Sequence, residues 1–598
     1  MSRGFASLFR ARAGSRRAPA SVTVIAVALF VAAGACGDDR DAFDTGPSEF
    51  EELPASDAGD CPFQCSLDGR SVIRSCNGEV VETCSEAQAC GAAKCQEPCN
   101  AAAEDQSSNG CEFYFQSPPA SDRSCYAAFI VNTSVQPVEL SFERYGEALD
   151  ISKAVFRTNP GDATLIQHAG PLGPGESVVL FVAGPNPLST QASGYRIGCP
   201  DGVVPAAEGA ALTRTGLGTS FHLTTNAPVS LVAMYPFGGA ASFLPTTTLV
   251  MPVVTYGKEH VIVNPWEANA ENPNTQIVAA EDGTEITLIP KVPLQNGDGI
   301  KGTAANVPMT YRLDKGQFLQ VVQYDELTGS IVTSNKPTTV FGGHSCAFVP
   351  TESGACDTLW QQIPSYEQWG SEYVAVGYRQ RTASPNETMP YRIVAARDGT
   401  RLDYDPRIPA GAPTEMNAGD VVTFPAGVND TFVVRTQDAE HPIYMAAYMT
   451  GYSGNYYGSG DMAGQGDPEF VNVVPAGQWL NAYSFYADPT YKETSLVIVR
   501  GKQFGKFEDV WLECAGDLTD WKPVGSRGDY EFTRVDLSRD GGPGQTFGDK
   551  TCRTGLQRMK STGPFTATLW GWAFAASYAY PGGMAHRKLV TSPLVAVQ

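Results

Sequence analysis

From Cys125 onward, apolar residues come in short runs divided by Gly, Pro, Asn and Asp, and four elements recur in the same order. The first is an apolar strand pair. Phe129-Ile130-Val131-Asn132 to Leu140-Ser141-Phe142 opens it, and Ile277-Val278-Ala279-Ala280-Glu281-Asp282-Gly283-Thr284 returns almost unchanged as Ile393-Val394-Ala395-Ala396-Arg397-Asp398-Gly399-Thr400. Asp-Gly between apolar runs predicts a hairpin, because Gly accepts the positive φ of such turns. The second element is a strand led by glycine, at Gly175-Glu176, Gly316-Gln317 and Gly419-Asp420. The third joins a short strand to one begun by proline through a turn, as in Ser334-Asn335-Lys336-Pro337. The fourth is an aromatic turn entering a strand, at Tyr256-Gly257, Trp369-Gly370 and Trp479-Leu480.

The prolines that start strands fall at Pro228, Pro337 and Pro442, which gives periods of 109 and 105 residues. A degenerate fourth copy runs from about Ser495 to Gln598. A period this long exceeds one four-stranded propeller blade and suits a sandwich unit. The pattern predicts an all-β chain of tandem antiparallel β-sandwich-like repeats of about 105 residues, preceded by a small disulfide-rich module. A β-propeller with two blades per copy is the alternative.

Composition agrees with strands and turns: Gly 61 and Pro 42 accompany only 18% charged residues. Residues 1–35 read as a signal peptide, with Arg3, Arg10, Arg12, Arg16 and Arg17 ahead of the apolar Val22–Ala33. Ala33-Gly34-Ala35-Cys36 has the form of a lipobox, with Ala33 where Leu is usual, so Cys36 is the expected lipidation site. Ordinary cleavage is the alternative. Residues 36–60 are acidic and poor in apolar side chains, as a tether would be. The expected location is therefore the cell envelope, lipid-anchored, at the outer membrane or cell surface. A net charge of −22 repels phosphate backbones and argues against nucleic-acid partners.

Eight cysteines crowd residues 61–111: Cys61, Cys65, Cys76, Cys84, Cys90, Cys95, Cys99 and Cys111. So small a segment has little core and needs staples, and which cysteine pairs with which stays open. Zinc is the rival, but the module has neither a C-x2-C pair nor a histidine. The remaining six fall as sequence neighbours within copies, which predicts Cys125 with Cys199, Cys346 with Cys356, and Cys514 with Cys552. Residues 112–598 form the β repeat region.

Within that region, Leu327-Thr328-Gly329-Ser330, Ser334-Asn335-Lys336-Pro337 and Val340-Phe341-Gly342-Gly343-His344-Ser345-Cys346 are followed by Val349-Pro350, Ala355-Cys356-Asp357, Gln362-Ile363-Pro364 and Trp369-Gly370. This ordered run resembles the N-terminal domain of the IgGFc-binding protein family, whose relatives include bacterial surface lipoproteins. The resemblance implies an extracellular binding or adhesion role without catalysis, toward an unknown protein, glycan or matrix ligand. It assigns no ligand and no binding residue, and immunoglobulin binding does not come with it.

Candidate chemistry is sparse. Gly343-His344-Ser345-Cys346-Ala347 imitates a nucleophile elbow, but Phe348-Val349-Pro350 follows where that motif needs a helix. The six histidines form neither H-E-x-x-H nor H-x-H, so no cofactor or metal is expected from local spacing. An envelope hydrolase assembled from distant residues and a purely structural envelope protein are the competing readings. Tyr452–Glu469 is a Gly-rich loop; Asn455, Asp461, Asp467 and Glu469 could offer oxygens to Ca²⁺, yet the spacing fits no known calcium loop. An inter-strand insertion is the simpler reading. Its Tyr452, Tyr456, Tyr457, Asp461 and Asp467 are the candidate partner-binding residues. If Cys36 carries the anchor, Cys36→Ala releases the protein from membranes into the soluble fraction. Retention with unchanged mobility would contradict the lipobox.

Overall fold

In three of the four copies one strand passes from one β-sheet to another at a proline. In the first copy this hinge strand is Phe221–Tyr235. Its first part lies between Gly110–Phe115 and Leu140–Arg144, and from Val229 onward it lies between Tyr126–Asn132 and Thr246–Val250. Pro228 stands at the changeover and has no N–H to give, so the ladder breaks there and the strand is free to take new neighbours. Ile331–Phe348 behaves alike around Pro337, moving from Gly257–Val261 and Thr284–Ile289 to Pro273–Ala279 and Cys356–Ile363. Gly555–Ala573 does so around Pro564. The turn expected at Asn335-Lys336-Pro337 is therefore absent, because the strand runs straight through it. Only the third copy separates the two halves, as Phe432–Thr436 and Ile443–Met449.

The computed structural model describes residues 61–119, 124–184, 197–209, 211–242, 244–382, 386–453 and 462–594. The signal peptide, the tether with Cys36, and Tyr456, Tyr457 and Asp461 lie outside the described residues. Within them the chain is nearly all-β, with sheets that are antiparallel apart from the short parallel pairing of Ala183-Gly184 with Ala207-Glu208, two sheets per copy built on a shared or split hinge strand. The fourth copy begins earlier than its sequence suggested, with Leu480–Ala487 pairing the first half of its hinge strand.

After each hinge strand the chain returns in an axial strand: Thr246–Val250, Cys356–Ile363, Glu469–Asn472 and Ala576–Pro581. The first packs against the second and fourth, and the third against the second and fourth, so the four close a ring. Gln361 occupies its centre. Its Nε2 donates to the carbonyls of Thr247 at 2.8 Å, Phe470 at 3.0 Å and Ala579 at 3.3 Å, one from each of the other three copies. The turns that follow are linked in sequence: Gln368 Nε2 donates to Thr255 O, Gln478 Nε2 to Gln368 O, and Ala585 N to Gln478 O. The ends then meet, with Ser108 N donating to Met584 O at 2.8 Å and His586 N to Gln106 O at 2.5 Å.

A second repeated device locks the hinge strand just past its proline in copies two, three and four. Tyr373 Oη donates to Ile443 O and Tyr483 Oη to Phe565 O, both at 2.5 Å. His260 holds the same position in the second copy, its Nε2 3.0 Å from Thr338 Oγ1.

The cysteine-rich module is a small three-stranded sheet, a β-ribbon and the helix Pro98–Asp105, which opens with proline in its first turn. Its bridges are Cys61–Cys76, Cys65–Cys90, Cys84–Cys95 and Cys99–Cys111. The repeat region carries Cys125–Cys199, Cys346–Cys356 and Cys514–Cys552.

Because Gln361 Nε2 donates to three buried carbonyls, Gln361→Leu should lower stability by about 2–4 kcal/mol, a hydrogen bond being worth about 1 kcal/mol and an orphaned buried acceptor more. Chemical denaturation followed by tryptophan fluorescence measures this; an unchanged midpoint would remove Gln361 from its central role.

Candidate functional site

Each hinge strand is joined to its axial strand by a loop, and the loops differ far more than the strands. The second copy has the disulfide loop 349–355 and the third the Gly-rich loop 450–468, while the fourth makes a tight turn at Phe574-Ala575. They touch. Gly451 N donates to Val349 O at 2.8 Å, joining the loops of copies two and three. Gly466 N donates to Ala573 O and Ala575 N to Gly464 O, joining three to four. Gly464 and Gly466 hold φ of 79° and 72°, and a Cβ on Gly464 would strike the Phe574 ring at 2.4 Å. The Tyr452 and Phe574 rings lie 5.8 Å apart, and Phe574 is 58% exposed. The described parts of these three loops are thus joined side by side, with Tyr452 and Phe574 next to one another.

The third-copy loop is clasped at its base. Arg381 donates from Nη1 to the carbonyls of Thr450 at 2.7 Å and Gln465 at 3.0 Å, and from Nη2 to Thr450 Oγ1 at 2.7 Å. Its charge is met by Glu387, with Nε to Oε1 at 2.7 Å, and both side chains are wholly buried. A buried pair of this kind stabilises little by itself, yet removing one partner strands the other's charge. Its effect is to pin the two ends of the loop together.

Beneath the loops, three carboxyls converge where the axial strands begin. Asp357 and Glu469 are fully buried and Asp467 is 2% exposed. Neither oxygen of Asp357, nor Oδ1 of Asp467, nor Oε2 of Glu469 has a hydrogen-bond partner. Burial holds Asp357 well above the usual carboxylate range, and the charges of Asp467 and Glu469 add to this. Burial likewise raises Glu469 strongly, partly offset by the N–H groups of Phe470, Ala579 and Thr247. Asp467 is pushed up to about 8 by burial, against the pull of Arg381. These groups are therefore neutral acids at the heart of the ring at neutral pH. Among the described residues, no group of three His, Cys, Asp or Glu side chains is arranged to hold a metal ion.

The sequence profile of the family described as "IgGFc binding protein" matches residues 246–571, more than half of the chain. The chain belongs to the IgGFc-binding protein family. The match opens at the first axial strand and closes in the fourth hinge strand, so the loops of copies two and three and the Arg381 clasp fall inside the family region. The human IgGFc-binding protein is 25% identical over 340 residues, which are 56% of this chain and 6% of that protein. The chain thus spans only a small part of that relative's length. A solved viral chemokine-binding protein, R17 of rodent gammaherpesvirus Peru, overlaps 57% of this chain and 89% of its own at 10% identity and a TM-score of 0.11, too low to bear on fold or function.

Of the loop residues proposed to contact a partner, the structure leaves Tyr452 half-buried beside Phe574. Asp467 does not belong on that surface. Its side chain is buried, and its N–H donates to Ser577 Oγ at 2.8 Å, which holds it inside just before the axial strand begins. The Gly-His-Ser-Cys run is likewise structural in its geometry. His344 is buried, with Nε2 3.2 Å from Glu267 O and Nδ1 accepting from Cys346 N, while Ser345 Oγ donates to Pro119 O. No imidazole nitrogen is bonded to that hydroxyl.

The raised carboxyls set the pH dependence of stability. Unfolded, they ionise near pH 4. Folded, they keep their protons longer, so the stability they contribute is complete below about pH 4 and is lost as pH rises through their folded values. Buried neutral histidines work in the opposite sense: His260 and His344 are lowered to about 4 and His586 to about 3 by burial, and their effect ends above about pH 6.5. Between pH 6.5 and 8, stability should therefore fall by about 1.4 kcal/mol per pH unit for each carboxyl still protonated. Asp467→Asn should make that fall shallower in denaturation series at stepped pH. Parallel curves for variant and parent would contradict the assignment.

Proposed function

We propose that the protein is an extracellular binding protein, lipid-anchored at Cys36 on the outer side of a cell envelope, that recognises a protein ligand through its loop surface. The observation that carries the reading is the convergence of loops from neighbouring copies on one side of a rigid ring. The frame recurs, and the loops vary in length and composition, which is how recognition surfaces are commonly built on β scaffolds. Membership of a family named for binding supports a protein ligand. Seven disulfides among the described residues support an oxidising compartment outside the cytoplasm. Aromatic side chains at Tyr452 and Phe574 suit an interface, where rigid rings supply most of the contact energy. No catalytic step is part of this reading, because the one motif resembling a nucleophile lacks a base on its hydroxyl.

The test presents the anchored protein, released in detergent, to an array of extracellular proteins, the human IgG Fc fragment, matrix components and glycans. Saturable binding to a protein is expected, weakened at least about tenfold by the double variant Tyr452→Ala, Phe574→Ala, since losing two interface aromatics costs more than about 1.4 kcal/mol. Binding to glycans alone, or protein binding indifferent to both substitutions, would count against the loop surface.

A further inference from the structure

The four copies have one strand in common whose outer edge is treated differently in the third. It follows the glycine-led turn and lies beside the first strand of the apolar pair: Ser177–Gly184, Gln317–Val322, Val421–Gly427 and Tyr530–Arg539. In the first copy its outer edge is covered by Val155–Arg157 and Ala207–Glu208. In the second it is covered by Gly216–Thr219, a segment that precedes the first copy's hinge strand and is lent to its neighbour. In the fourth, Lys522–Val524 and Gly542–Pro543 do the same. In the third copy Val421–Gly427 pairs only with Thr388–Ala395, and no described strand lies on its other side. We propose that this open edge binds an extended, cationic peptide segment of a partner protein, which joins the sheet as an added strand.

The register shows which groups are free. Ala395 N donates to Asp420 O and Val428 N to Glu387 O, which fixes the alternation of inward and outward groups along the strand. The N–H and C=O of Val421 and Thr423 therefore face outward, and neither residue finds a partner there among the described residues. Pro425 follows and offers only its carbonyl, which keeps the usable edge short and limits self-association. Short is enough. The matching Asp-Gly hairpins align Val278 opposite Phe318 with Val394 opposite Val421. The lent strand Gly216–Thr219 covers Gln317–Gln320, whose counterparts are Asp420–Thr423. Pro425 lies beyond the stretch that has to be covered.

A groove of about 480 Å³ runs along this part of the edge, walled by Glu326 and Thr328 of the second copy. These wall residues precede the second copy's hinge strand, as Gly216–Thr219 precedes the first copy's. Here, however, the segment reaches its neighbour as a loop. It is held by Glu326 on Arg392 at 2.5 Å, and Lys291 Nζ donates to Gly419 O at 2.6 Å. The position that a strand fills between copies one and two is thus a groove between copies two and three. With Lys291 and Arg392 engaged, Glu415 and Asp420 are the charges the groove offers an incomer. Two residues before the strand that fills the equivalent position stands Arg214, which meets Asp298 at 2.7 Å. Strand addition takes affinity from backbone hydrogen bonds and selectivity from side chains at alternate positions. The arrangement suits an extended segment with a Lys or Arg. It uses none of the loop residues of the preceding section.

The test uses a fluorescent peptide with the sequence of residues 211–220, Ala-Leu-Thr-Arg-Thr-Gly-Leu-Gly-Thr-Ser, added to the full mature protein and followed by anisotropy. Saturable binding is expected. Thr423→Pro should weaken it at least about tenfold, because it removes an outward N–H, while Thr423→Val should leave it within about twofold. Glu415→Lys should weaken it and flatten its salt dependence. If Thr423→Pro fails to fold, a peptide N-methylated at alternate residues makes the same comparison on the unaltered protein, and lost binding supports the edge. The proposal is overturned by absence of saturable binding, by binding that ignores both Thr423→Pro and N-methylation, or by a dimer in sedimentation that Thr423→Pro dissociates, which would assign the edge to a second copy.

Discussion

A single side-chain amide stands where four copies of a sandwich meet. Gln361 sends its two protons toward carbonyls of all three other copies, and no apolar residue could bind that set, because each axial strand pairs with its hinge strand along one edge. Around it the interior is polar rather than oily: Thr246, Thr247, Thr358, Gln362, Asn472 and Ser577 are all buried. Such an interior is costly unless satisfied, and it specifies geometry more sharply than an apolar one. Hydrogen bonds therefore set the register of the ring, while the apolar core runs on from copy to copy around it, as where Phe129 stacks on Tyr486.

Much of the frame was legible in the sequence, because it is written in periodicities. The Asp-Gly hairpins at Asp282-Gly283 and Asp398-Gly399, the prolines at Pro228, Pro337 and Pro442, and the aromatic turns all mark equivalent places in the structure. What those prolines do was not legible. A proline after Asn-Lys reads locally as a turn, and only the second sheet, supplied by residues far along the chain, turns the same signal into a strand that changes partners. The fourth hinge proline, Pro564, hides in a copy whose surrounding letters have diverged.

The site was less legible than the frame. Tyr452 was visible as a tyrosine in a Gly-rich loop, but Arg381, Asp357 and Glu469 gave no local signal, since charged residues between strands read by default as solvated. A usable hint was present in Thr358, Gln361 and Gln362, polar positions inside an otherwise apolar run where alternation alone would have buried aliphatic residues. Distant partners decide which polar residues are interior, and one sequence carries no record of them. The departures also concentrate in one copy. The third has the split hinge strand, the longest loop with its buried clasp, and the uncovered edge, so the repeat is most relaxed where its surfaces are most available.

The first and last copies are joined through Ser108 and Met584, a hydrogen bond between residues 476 positions apart in the chain. Contacts so remote form only after the intervening chain is in place. As the polypeptide is made from its N-terminus, the first three axial strands must wait for the fourth, with Gln361 and the neutral acids facing an unfinished centre. The ring is complete only when the last copy arrives, so a truncated chain would expose as surface the polar residues that the finished molecule keeps inside.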